Sequence, residues 1–125
     1  MLDDRDAVAN LAVKDLKAAR KFYEGTLGFE AVGHEDEELV VYRSGKTTFN
    51  VYRSKEAGTN KATAVTWTVG DKVKDVVQEL KDKGITFEHY DMPGLKLEGD
   101  IHVGSGIQVA WFKDPDGNIL NIVNR

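Results

Sequence analysis

The chain has 125 residues, of which 41% are hydrophobic and 30% charged, a balance that suits one compact domain and not a disordered segment. Seventeen Lys and Arg are interspersed with 21 Asp and Glu for a net charge of −4, so there is no basic face for nucleic acid and no partner of that kind is expected. Cysteine is absent, which excludes disulfides, thiolate catalysis and Cys-ligated metal and leaves only His, carboxylate or amide donors. The start MLDDRDAV lacks a basic, apolar leader and no apolar run reaches membrane-spanning length, so a cytoplasmic protein without membrane contact is expected.

Ala7 to Val13 read as a first strand, and Asp15 is placed to cap a following helix. Leu16, Ala19, Phe22 or Tyr23, and Leu27 recur at helical spacing and Gly28 is a stop, which predicts a helix over 16–26. Three extended runs follow near 30–34, 39–42 and 47–52, separated by the charged stretch 35–38 and by Ser44-Gly45-Lys46. This unit reads βαβββ. After a polar linker, 55–61, the pattern restarts with a strand at 64–69, a cap at Gly70-Asp71, and a helical stripe of Val73, Val76, Val77 and Leu80 ending at Gly84.

Val8 and Ala64, Val13 and Val69, Asp15 and Asp71, and Gly28 and Gly84 are each separated by 56 positions, the mark of an internal duplication. Beyond Gly84 the chain gives a strand near 86–90, a Gly-rich segment 92–106 expected to be irregular, a strand at 107–113, the turn DPDGN at 114–118, and a closing strand at 119–123. Asn50 and Asn121 hold equivalent places near the ends of the two halves, 71 positions apart, and the segment 92–106 absorbs the extra length. The expected architecture is α+β: two tandem βαβββ modules, about 6–54 and 62–125, in one domain. Each module gives a four-stranded sheet with its helix outside, and the curved mixed sheet encloses a cleft.

The stretches VKDLKAARKFYEGTLGFE, WTVGDKVKDVVQELKDKGITFE and WFKDPDGNILNI together resemble the vicinal oxygen chelate superfamily, which includes glyoxalases, extradiol dioxygenases and fosfomycin- and bleomycin-resistance proteins. The resemblance spans almost the whole chain. In metal-dependent members it implies a His on the first strand of a half and a Glu on the last, facing the cleft and leaving coordination sites open for a bidentate oxygen substrate. Here the His places hold Val8 and Ala64 and the Glu places hold Asn50 and Asn121. Aliphatic side chains have no lone pair, and a neutral amide is a poor transition-metal ligand, so no metal or other cofactor is expected.

Strand alternation sorts the remaining candidates, because residues i and i+2 share a face. It assigns Asn10, Thr48, Asn50, Tyr52, Thr66, Thr68 and Asn121 to the cleft. Trp67 goes to the core, and the apolar set Ile107, Val109, Trp111 is assigned there too, which sends Gln108 and Phe112 to the pocket; a one-residue bulge would reverse that choice. Of the three histidines His34, His89 and His102, the last is the favoured site residue because it belongs to the segment 92–106, read either as a surface loop or as a lid or dimer contact carrying Leu95, Leu97 and Ile101.

The reading is a protein that binds a small organic molecule, a drug or metabolite, without metal. Its resemblance to bleomycin-resistance proteins implies a homodimer with ligand crevices between subunits. The alternative is a glyoxalase- or dioxygenase-like metalloenzyme with non-standard ligands, and a third reading has Tyr52 or His102 acting as a general acid or base without metal.

Overall fold

A computed structural model describes residues 1–33 and 36–125, and the chain divides into two compact units, Met1–Thr59 and Asn60–Arg125. Among the described residues there are two α-helices and ten strands in two mixed sheets, with no closed barrel: the α+β class expected. No described helix is long and apolar enough to cross a membrane. His34 lies outside the described residues.

In unit 1, β1 (Ala9–Val13) leads to α1 (Leu16–Arg20), then β2 (Glu30–Val32), β3 (Leu39–Ser44) and β4 (Thr47–Arg53), in the sheet order β1-β4-β3-β2. Strands β1 and β4 run parallel and the other pairs antiparallel. Asp15 caps α1 as anticipated, its Oδ1 accepting the Lys17 N–H at 2.9 Å and the Ala18 N–H at 3.4 Å. The helix continues as a π-helical stretch, Lys21–Thr26, in which the Leu27 N–H donates to Phe22 O five residues back.

Tyr23 is thereby set fully inside the core, where its ring stacks on Tyr42 at 5.8 Å and meets Phe49 at 5.9 Å. Its neighbour Glu24 accepts hydrogen bonds from the Tyr42 hydroxyl at 2.8 Å and the Arg20 guanidinium at 2.9 Å. Burial first, and the Glu24 carboxylate second, push the Tyr42 phenol well above its ordinary pKa.

Unit 2 comprises β5 (Thr63–Thr68), α2 (Val73–Asp82), β6 (Phe87–Glu88), β7 (Lys96–Glu98), β8 (Ile101–Gly104), β9 (Ile107–Lys113) and β10 (Ile119–Val123). The duplication is exact in the parallel register: Asn10 opposes Asn50 and Leu11 opposes Val51, just as Thr66 opposes Asn121 and Trp67 opposes Ile122. Gly28 and Gly84 close the two helical segments at φ of 79° and 93°, where only glycine is unstrained. Asp71 does not cap α2. It sits in a 3-10 turn, Gly70–Lys72, and no side chain caps the helix.

The second half also departs from the expected four strands. The segment 92–106 is ordered as the antiparallel pair β7 and β8, giving the path β5-β10-β9-β8-β7. One edge of β9 serves two partners in succession: Phe112 and Trp111 pair with β6, and Val109 to Ile107 pair with β8. The turn between β8 and β9 holds Ser105 at φ 50° and Gly106 at φ 79°, the signature of a two-residue hairpin turn of type I′.

Candidate functional site

Each sheet packs one face against its own helix and turns the other, its open face, away from that helix; this second face is partly exposed in unit 1 and in unit 2 includes buried residues. In unit 1 the helix side holds Leu11, Val13, Phe49 and Val51, all buried, and alternation puts Asn10, Thr48, Asn50 and Tyr52 on the open face as expected. Asn50 Nδ2 donates to Asn10 Oδ1 at 3.1 Å across the parallel pair, and Val41 stands opposite Asn50 on the third strand. Hollows on this unit are lined by charged, exposed groups such as Lys14, Lys55 and Arg53. Arg53 is held by Glu38 through contacts of 2.7 and 3.1 Å.

In unit 2 the face assignment of β9 is the reverse of the sequence expectation. Trp111 opposes Asn121, and Phe112 opposes Leu120. Phe112 is therefore on the helix side, stacked on Trp67 at 6.5 Å and edge-on to Phe87 at 5.7 Å. Gln108 follows it there, lining a hollow with Lys74 of α2 and Ile101 and Val103 of β8. No bulge lies between β9 and β10. The expectation failed because both faces of β9 are apolar, Val109 and Trp111 on one and Ala110 and Phe112 on the other, so alternation of polarity carries no signal. Trp67, half-buried, lies on the helix side against Phe112.

The open face of unit 2 thus carries Thr66, Thr68, Asn121, Trp111, Val109 and His102. Trp111 is 7% exposed and its indole N–H donates to Thr63 Oγ1 at 3.0 Å. Its ring meets His102 edge-to-face at 4.9 Å and Tyr90 at 5.3 Å. His102 is buried, with Nε2 accepting the Tyr90 N–H at 2.9 Å. The same nitrogen lies 3.1 Å from the Tyr90 carbonyl oxygen. His102 Nδ1, the Tyr90 hydroxyl and Asn121 Oδ1 are all buried and have no hydrogen-bond partner among the described residues. Unsatisfied buried polar atoms are uncommon, and three on β8, β10 and an adjoining loop mark this face as polar but incomplete.

Beside them opens a cavity of about 360 Å³ lined by Thr63, Tyr90, Met92, Trp111 and Ile119, with Lys61 and Asp91 also at its wall. Its size is at the small end for organic ligands. Tyr90 and Met92 were not among the sequence candidates, and Trp111 was assigned to the core; the adjacent pair Trp111-Phe112 was the one signal, since one of two neighbouring strand residues must face each side.

The places that hold metal ligands in metal-dependent relatives do not fit a metal here. Val8 is exposed and aliphatic and Ala64 is a half-buried methyl. The Asn50 amide is engaged with Asn10, and Asn121 offers one neutral oxygen. Among the described residues no three His, Asp or Glu gather as a ligand set. His89, half exposed, instead contacts Asp100 at 2.7 Å in the turn between β7 and β8, and Lys81 of α2 holds the other oxygen of Asp100 at 2.7 Å.

Known proteins share this frame. The virulence protein STM3117 of Salmonella typhimurium is 25% identical over 130 residues, an alignment that takes in 98% of this chain and 85% of that protein. A glyoxalase family protein from Enterococcus faecalis superposes with a TM-score of 0.72 at 19% identity, covering 98% of this chain and 99% of the other. A bleomycin-binding protein solved in complex with bleomycin superposes with a TM-score of 0.70 at 21% identity, covering 96% and 98%. The sequence model of the Glyoxalase/Bleomycin resistance protein/Dioxygenase superfamily matches residues 6–122, and the chain belongs to that superfamily.

Proposed function

We propose that this protein binds a small organic molecule, a drug or metabolite, without metal and without transforming it. The observation that carries the reading is the pocket formed by Trp111, Tyr90, Met92, Thr63 and Ile119 in unit 2 of a chain whose usual metal-ligand places hold only Val, Ala and Asn. An aromatic-lined hollow with a few polar groups binds by shape and hydrogen bonding, whereas electrophilic catalysis on a chelated oxygen substrate requires a Lewis acid that such donors hold poorly. A relative of similar fold has been solved with bleomycin; nothing on this open face specifies bleomycin. The reading extends to a homodimer in the cytoplasm: Leu97 and Ile107, 43% and 42% exposed, leave apolar surface on the open side of unit 2 for a second copy.

Two measurements test it together. Elemental analysis of protein purified without chelator is expected to find no stoichiometric transition metal. Tryptophan fluorescence is expected to quench saturably on titration with small aromatic compounds, an effect lost in Trp111→Phe. Stoichiometric metal that disappears on substitution of His89 or His102 overturns the reading in favour of a metalloenzyme with unusual ligands.

A further inference from the structure

After β6 the chain passes along the pocket through Tyr90, Asp91 and Met92, then turns back into β7. The Leu95 N–H donates to Met92 O at 3.1 Å and Gly94 has φ 79°, so Met92 to Leu95 form a β-turn with proline second and a left-handed glycine third, the type II pattern. This turn is seated on β8. A Cβ placed on Gly104 would collide with Gly94 O and would lie 3.2 Å from both Gly94 C and Leu95 Cδ2. Gly104 has the parity of His102, so the side chain it lacks would project from the open face. The turn therefore lies over that face, at a height fixed by the bare backbone of residue 104.

The other walls of the pocket are less adjustable. Trp111 is buried, tied to Thr63 and wedged against Tyr90 and His102. Met92 is 38% exposed and sits on the turn, with a polarizable, unbranched side chain that adapts to the ring it meets. We propose that the Met92–Leu95 turn is the specificity-determining wall of the Trp111 pocket, that Gly104 sets its position, and that the pocket selects planar aromatic ligands by ring size. This rests on the binding function proposed above and adds what the site discriminates. Two aromatic rings and a thioether line a volume of about 360 Å³, room for a one- or two-ring molecule, near the lower limit for small-ligand sites.

The test uses the whole chain labelled with 15N and two planar probes, phenol and 2-naphthol. The indole N–H signal of Trp111, identified by its absence in Trp111→Phe, is followed through each titration. Both probes are expected to shift it saturably in the natural sequence. Gly104→Ala lifts the turn and is expected to change the ratio of the two dissociation constants by about fivefold or more, below the upper range for a methylene in an apolar pocket. Met92→Ala removes the wall, leaves the seat intact and shifts the ratio towards 2-naphthol; it serves alone if Gly104→Ala fails to fold. Ser105→Gly, in the next turn, leaves the ratio unchanged.

Hydrogen exchange at the Leu95 amide reads the seating without any probe and is expected to quicken by roughly tenfold in Gly104→Ala as the turn opens locally. Intact binding with an unchanged ratio in Met92→Ala overturns the specificity inference and spares the binding function. Absence of any shift in the natural sequence sinks both.

Discussion

In unit 1 the place opposite Asn50 holds Val41, and in unit 2 the equivalent place opposite Asn121 holds Trp111. The backbone register is the same, but the consequences diverge. Asn50 is half-buried, and its amide is paired with Asn10 in the neighbouring strand. Asn121 is 7% exposed, faces Thr66 where its counterpart faces Asn10, and has an oxygen without a donor. One duplicated frame thus carries a self-satisfied polar face on one half and an incomplete aromatic one on the other. Paired amides in a sequence are no guide to a shared role; the residue across the strand decides what each amide can do.

The largest test of this contrast is truncation of the opposed residue. Trp111→Ala removes ring contacts and the bond to Thr63 and is expected to cost roughly 3–5 kcal/mol of stability, together with the pocket. Val41→Ala, on a half-buried valine, is expected to cost about 1 kcal/mol. Urea denaturation of both variants measures the difference, and equal losses would break the comparison.

A finer test reads a sign. Asn121→Leu removes an acceptor that has no partner and is expected to be neutral or stabilising by up to about 1 kcal/mol. Asn50→Leu breaks a bond to Asn10 and is expected to destabilise by about 0.5 kcal/mol, the low end because water reaches the exposed Asn10. Thermal melting that moves the same way in both variants would show that the two amides are not distinct.

The smallest effect concerns the hairpin that only unit 2 possesses. Asp100 is held by Lys81 first and His89 second, which lowers its carboxyl below the ordinary 3.8. A depressed carboxylate stabilises the fold at pH values above its unfolded pKa, and that contribution disappears as pH falls through the folded value. The gain is under about 1 kcal/mol because Lys81 and His89 are about half exposed and solvent screens them. The urea midpoint is therefore expected to drop between pH 6 and pH 2.5 by more in the natural chain than in Asp100→Asn.

Much of the frame was legible in the sequence because it is written in long, strongly patterned elements: the stripe of α2, the stop glycines Gly28 and Gly84, and the Asp15 cap of the first helix. The tight DPDGN turn was equally plain, with Asp114 accepting from the Asp116 and Asn118 amides at 3.0 and 2.9 Å. The face of β9 was not legible, since apolar residues on both sides erase the alternation. Nor was the pair β7 and β8: strands of three and four residues punctuated by Gly94, Gly99 and Gly106 have no period long enough to register. His102 was singled out for its position in a supposed loop; it is instead a buried strand residue that latches β8 to the backbone of Tyr90.

The shared edge of β9 gives the two halves different capacities for change. Because β6 occupies only the last part of that edge, β8 takes up backbone donors and acceptors further along it, without displacing any pairing of the duplicated frame. The extra length of the second half becomes additional open surface and a turn poised above it. Sequence drift between Met92 and Gly104 can reshape what lies over Trp111 while β5, β10 and α2 stay as they are, so this surface can change at little risk to the fold.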